Sequence, residues 1–126
     1  ASSLLFIAGC ESELDKCIGT NTSKVTFSTI KDEVIVEGDL YEKVWDHPLA
    51  FELFEKVNEK LKPSYNAQKE MGCDDFLGFK QGENESDSCW AERKKQYEAE
   101  IDFHRQMEEM IASEEATEYC NSQGIY

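Results

Sequence analysis

Cysteine is the residue type with the most chemistry to offer in this chain: Cys10, Cys17, Cys73, Cys89 and Cys120 stand among 126 residues. A thiol can serve as a nucleophile, a metal ligand or half of a disulfide, and its neighbours decide which. A nucleophile needs a base, and there are two histidines, His47 and His104. In Asp46-His47-Pro48 a carboxylate adjoins an imidazole, but sequence neighbours on a turn rarely point at one site. His104 and Glu108 lie four residues apart, a helical spacing that could chelate a metal. A third ligand is not signalled. The acidic group Asp74, Asp75, Glu83, Glu85 and Asp87 fits no EF-hand loop, which wants alternating Asp/Asn ligands, a central Gly and a closing Glu. No Gly-rich phosphate loop and no nucleophile elbow occurs. The sequence therefore predicts no catalytic residue, no metal and no cofactor.

Disulfides are the remaining use for the thiols. Two triplets of the Asn-x-Ser/Thr form, Asn21-Thr22-Ser23 and Asn84-Glu85-Ser86, accompany them. Sequons and cysteines together favour an extracellular, secreted chain whose small core is stapled by oxidised sulfur. An odd cysteine count leaves one thiol over, either buried or pairing two copies into a homodimer. Cys10 and Cys17 fall on one helical face about 10 Å apart, too far to bond to each other. Cys89 and Cys120, at opposite ends of a long helix, are separated by about 45 Å. The favoured staples are Cys73–Cys89 and a bond from Cys120 to Cys10 or Cys17. The alternative joins Cys10 and Cys17 to Cys73 and Cys89.

The elements that position these residues read mostly as helices. Ile7, Cys10, Leu14, Cys17 and Ile18 mark a helix over residues 3–18 that Gly19 ends, followed by a loop carrying Asn21. Residues 24–38 are ambiguous. Val25, Phe27 and Thr29 alternate and Val34-Ile35-Val36 is β-branched, as in a hairpin, yet Phe27, Ile30, Val34 and Ile35 also form a helical stripe. Because Lys31-Asp32 brings no Gly or Asn for a tight turn, helix is preferred. Asp39 caps a helix through Leu40, Val44 and Trp45, and Pro48 opens the next. There Leu49, Leu53, Phe54, Val57 and Leu61 make a continuous apolar stripe that Pro63 stops, and a short helix over 64–71 follows. Residues 73–79 read as an aromatic turn, and 82–87 as an exposed loop with Asn84. A final long helix runs from Ser88 to Tyr119 along Trp90, Tyr97, Ile101, His104, Met107, Met110 and Ile111. The expected fold is all-α, a disulfide-stapled bundle of about four to six helices forming one domain over residues 1–126.

Charge narrows the partners. Against 13 Lys and Arg stand 27 Asp and Glu, a net of −14. DNA, RNA and anionic membranes are repelled by that excess, whereas a basic protein surface is attracted. Arg93-Lys94-Lys95, the single basic run, reads as a solvated helix face. The opening residues 2–9 are apolar but too short to span a bilayer and lack the basic flank of a signal peptide, as at the start of a mature chain.

Cys10-x6-Cys17 on an opening helix, Tyr41-Glu-Lys-Val-Trp45 followed by Pro48, and Met71-Gly-Cys73-Asp-Asp-Phe76 together resemble the anophensin/albicin-type proteins of mosquito saliva. The resemblance covers nearly the whole chain at the level of layout. It implies a non-enzymatic, secreted α-helical protein that binds a host plasma protein or protein complex. The process affected would be the alternative pathway of complement at its convertase, or contact activation. On the residues alone, Tyr41, Trp45 and the outer side of the long helix are the candidate partner-binding surface. The alternative is an extracellular carrier of hydrophobic small molecules, similar to insect odorant-binding proteins, with Phe51, Phe54, Phe76, Phe79 and Trp90 around a cavity. Their spacing of adjacent cysteines is missing here.

Overall fold

The computed structural model describes residues 11–32, 34–75 and 78–126. Three α-helices, one 3-10 helix and one β-hairpin make up the described residues: α1 (Glu13–Thr22), β1 (Thr29–Lys31), β2 (Val34–Val36), the 3-10 helix (Tyr41–Asp46), α2 (Ala50–Glu70) and α3 (Asp87–Ser122). Helix accounts for 65% and strand for 5% of the described residues, so the all-α reading holds for the bulk and fails at the hairpin. α1 starts at Glu13 behind an extended Ser12, where the sequence predicts a helix already running from residue 3; residues 1–10, with Cys10, lie outside the described residues.

α3 is the spine. Its 36 residues extend about 54 Å. Ser86, rather than Ser88, caps it by accepting the Cys89 N–H on Oγ at 3.1 Å. It ends beyond Tyr119, where Ile125 N–H turns back to the Cys120 carbonyl. α2 packs antiparallel against it: Phe54 meets Phe103, and Ser64 Oγ donates to the Glu92 carbonyl at 3.1 Å. Between them and the 3-10 helix sits the core of Leu40, Val44, Ala50, Phe103, Met107, Ile111 and Ala112, flanked by Val25, Phe27, Leu53, Phe54 and Val57.

Three local expectations are corrected. First, α2 continues through Pro63 to Glu70, where the sequence predicts a stop and a separate short helix. A mid-helix proline forfeits one backbone hydrogen bond at about 3 kcal/mol. Contacts to α3 on both sides of Pro63 offset this, through Leu53, Phe54 and Val57 before it and the buried Ser64 after it. The helix then closes at Gly72, whose φ of 67° suits glycine.

Second, residues 29–36 form an antiparallel hairpin with Thr29 opposite Val36, Ile30 opposite Ile35 and Lys31 opposite Val34. That pairing leaves a two-residue connection, and Asp32 takes a φ of 52° there. Asp tolerates the left-handed region, so the missing Gly or Asn does not prevent the turn. A long-range anchor then favours strand over helix. Ser28 N–H donates to Oε1 of buried Glu108 on α3 at 2.9 Å, and Gly38 N–H donates to Ser28 Oγ at 2.8 Å.

Third, Gly19 does not end α1. The helix runs on to Thr22 and places Asn21 in its last turn instead of a loop. α1 has no fully buried residue. It is fastened to the end of the spine by the Cys17–Cys120 disulfide, with Cα atoms 6.1 Å apart. The second disulfide, Cys73–Cys89 (Cα–Cα 5.8 Å), closes the α2–α3 connection. Of the two cysteines offered to Cys120 it is Cys17 that bonds, and the alternative pairing of Cys17 with Cys73 or Cys89 is excluded.

Candidate functional site

The segment from Leu40 to Phe51 is short, and its burial alternates sharply. Leu40 and Val44 are sunk into the core while Trp45 keeps 47% of its surface exposed, Leu49 42% and Phe51 75%. A 3-10 turn places residues three apart in line. Burying Val44 therefore turns Tyr41 toward the spine and leaves Trp45 at the rim. Trp45 packs edge-on to Phe54 at 5.1 Å and against Phe103 at 5.3 Å, so the exposed part of its ring is held rigid from below. Phe51 lies one residue round α2 from buried Ala50, about 100° off the face that meets α3.

Two ties fix this ledge to α3. His47 Nε2 meets the Glu114 carboxylate at 2.9 Å, and its Nδ1 accepts the Leu49 N–H at 3.1 Å. Lys43 Nζ reaches Glu115 Oε2 at 2.7 Å. The second pair is exposed at both ends and contributes roughly 0–1 kcal/mol. The carboxylate serving His47 is thus Glu114, far along the chain, and not the adjacent Asp46. Glu42, Asp46, Glu52 and Glu55 are all exposed on the same stretch of chain, against exposed Lys43 and Lys56, an acidic excess.

Tyr41 stacks on His104, ring centroids 4.5 Å apart. Burial raises the Tyr41 hydroxyl above its ordinary value, and Glu100, Glu37 and Glu108 add to the effect. Burial lowers His104, with Glu100 and Glu108 pulling the other way. His104 and Glu108, proposed from spacing as a chelating pair, are both buried. Glu108 spends Oε1 on Ser28, while Glu108 Oε2 and His104 Nδ1 have no hydrogen-bond partner among the described residues. No group of three His, Cys, Asp or Glu side chains that could hold a metal occurs among the described residues.

A second polar constellation lies at the other end of α3. Arg93, expected on a solvated face, is buried. It donates from Nε and Nη2 to both oxygens of Glu85, each at 2.7 Å, and further to the carbonyls of Gly78 and Lys80 and to the Tyr97 hydroxyl. Its guanidinium also lies 4.7 Å from the Trp90 ring centre. Arg93 thus organises the connection that carries Asn84. Its burial had no local signal: the sequence offers only a charge run, and Glu85 eight residues upstream is the clue to its partner.

Of the residues singled out from sequence, Trp45 is exposed and Tyr41 half-buried in one ledge. Asn84 lies in an exposed turn, Asn21 is half-buried beside Cys17–Cys120, and Cys10 lies outside the described residues. Of the aromatics that might have lined a cavity, Phe51 projects outward, Phe54 joins Trp45 and Phe103, and Phe79 packs on Tyr97, while Phe76 lies outside the described residues. The hollow between α2 and α3 is open, about 270 Å³, and edged by Lys56, Lys60 and Asp102. Leu49 and Phe51 lie at the surface, where the sequence pattern predicts a core stripe for the first and a cavity wall for the second. Among the described residues, no helix is long and apolar enough to cross a membrane. No protein-family model matches this chain, and comparison with curated proteins and with solved structures finds no match either.

Proposed function

We propose that this chain is an exported, non-catalytic binding protein. It covers a basic surface of a host plasma protein or complex and so inhibits a defence cascade, at the complement alternative-pathway convertase or in contact activation. The observation that carries the reading is the exposure of Trp45, Leu49 and Phe51 within seven residues, with Trp45 backed by Phe54 and Phe103. Rigid aromatic anchors are what binding hot spots are made of, and holding them in place before binding lowers the ordering cost. A net charge of −14 would steer encounter with a basic target and weaken it as salt rises. Two disulfides fit an oxidising compartment. Tyr41-Glu-Lys-Val-Trp45 with Pro48, one of the three motifs behind the resemblance to salivary inhibitors, lies in this segment.

The test is binding of the oxidised protein to the assembled alternative-pathway convertase and to contact-activation components, at low and physiological salt. Trp45→Ala with Phe51→Ala should weaken binding by at least ~30-fold, since hot-spot truncations cost about 2 kcal/mol or more each. The melting temperature serves as a check on folding. Absence of binding to either system at low salt, or equal binding by the double variant, rejects the reading.

A further inference from the structure

We propose that Asn84 is the sequon whose glycan the folded protein carries, and that closing the Cys17–Cys120 disulfide excludes a glycan at Asn21; the inference rests on the chain being exported. Both triplets meet the sequence requirement equally, so sequence gives no preference. The chemistry defines what the fold must accommodate. The donor is an oligosaccharide linked through its anomeric carbon to a polyprenyl diphosphate. As the asparagine Nδ2 forms its bond to that carbon, the carbon–oxygen bond to the diphosphate breaks. The amide gives up one proton and the polyprenyl diphosphate leaves. The product keeps one N–H on Nδ2 and carries a sugar ring in place of the other. Transfer takes place on a chain not yet folded, so the fold acts on the product.

Around Asn21 both amide hydrogens are committed. Nδ2 donates to the Cys17 carbonyl at 2.8 Å, and it also lies 3.6 Å from Cys17 Sγ and 3.8 Å from Cys120 Sγ. Cys120 is fully buried. Replacing the first hydrogen by a sugar carbon removes the side-chain bond to the Cys17 carbonyl. Replacing the second drives a pyranose ring into the disulfide. Ser23, the hydroxyl of this sequon, is itself tied to the Thr20 carbonyl at 2.7 Å. A chain glycosylated here must leave α1 undocked.

Asn84 faces the opposite situation. It is exposed, between exposed Glu83 and buried Glu85, and its side chain makes no hydrogen bond among the described residues. Its turn is built without it. Glu85 N–H donates to the Gly82 carbonyl at 3.1 Å, Glu85 Oε1 accepts Gly82 N–H at 2.8 Å, and Gln81 Nε2 bonds the Glu85 carbonyl at 2.9 Å. Arg93 anchors Glu85 from below. A sugar on Nδ2 therefore displaces nothing. Ser86 begins α3 and Phe103 lies seventeen residues further on, so the glycan stands about 25 Å along the spine from the aromatic ledge and leaves it uncovered.

The experiment is expression in a eukaryotic secretory host, isolation of the oxidised monomer, and enzymatic deglycosylation in heavy-oxygen water. Each formerly glycosylated asparagine is thereby marked for peptide mass mapping. The mark is expected at Asn84 and not at Asn21 in molecules whose Cys17–Cys120 peptide pair is closed. Asn84→Gln should abolish the glycan-dependent gel shift, and Asn21→Gln should keep it. Should the Asn21 variant fail to fold, the wild-type map still decides. A marked Asn21 in closed molecules, or an unmarked Asn84, overturns the proposal. Acceptor choice is read without any plasma partner, so its failure and that of the binding function are separate results.

Discussion

His104, fully buried, lies face to face with half-buried Tyr41, ring planes 12° from parallel. Burial keeps the imidazole below its ordinary 6.5, and Glu100 and Glu108 offset part of that. The neutral ring is thus the one the folded state prefers, while the unfolded chain binds a proton near the ordinary value. The contribution is full above pH 6.5 and is lost as pH falls below it toward the depressed folded value. We expect stability in urea to decline on acidification through that window. His104→Phe, which keeps an aromatic ring against Tyr41, should flatten the decline. An identical pH slope in the variant would show that another group titrates.

Arg93 and Glu85 form a buried pair with two parallel hydrogen bonds, and Arg93 holds the Glu85 carboxyl below its usual range. Arg93→Met leaves a buried carboxylate alone, and losses of about 3–5 kcal/mol are typical of that kind of change. Adding Glu85→Leu should restore part of the loss. Chemical denaturation of the two variants and the wild type measures this, and a double variant no more stable than Arg93→Met would count against the pair. The lowered Glu85 value adds stability above pH 4.5 that fades as pH falls below it.

α1 is tied to the spine by one covalent bond and a partly buried face that includes Leu14, Ile18 and Asn21. Its helix buries no residue fully, and Cys17–Cys120 closes a separation of 103 residues, for which chain entropy alone gives about 4.7 kcal/mol. Replacing both cysteines by serine should let the amides of Glu13–Thr22 exchange rapidly while the α2–α3 core stays protected. Hydrogen exchange by mass spectrometry reads this directly. Retained protection in α1 would mean that packing, not sulfur, holds it.

Gly38 sits where the hairpin meets the spine. A Cβ there would come within 2.6 Å of Ser28 N and 2.7 Å of Glu108 Oε1, and closer still to the Thr26 carbonyl. Backbone cannot yield as a flexible side chain can, so Gly38→Ala should cost about 1–3 kcal/mol and weaken the Ser28–Glu108 bond. Thermal unfolding gives the size. A variant as stable as the wild type would mean the hairpin docks more loosely than these distances imply.

What sequence alone determined was local and periodic. The stripe Leu53, Phe54, Val57 and Leu61 specifies α2, and the polar run around Asn84 specifies a turn. Chain geometry likewise separates Cys89 from Cys120 before any contact is known. Tertiary structure alone decided whether residues 29–36 pair as strands, whether α2 survives Pro63, and whether Arg93 and Glu108 face water. The reason lies in the partners. A buried charge is tolerated where another segment brings the opposite charge or a backbone donor to it, and Ser28 reaches Glu108 across 80 residues. Periodicity reports which residues share a face; it carries no record of what a distant stretch of chain will place against that face.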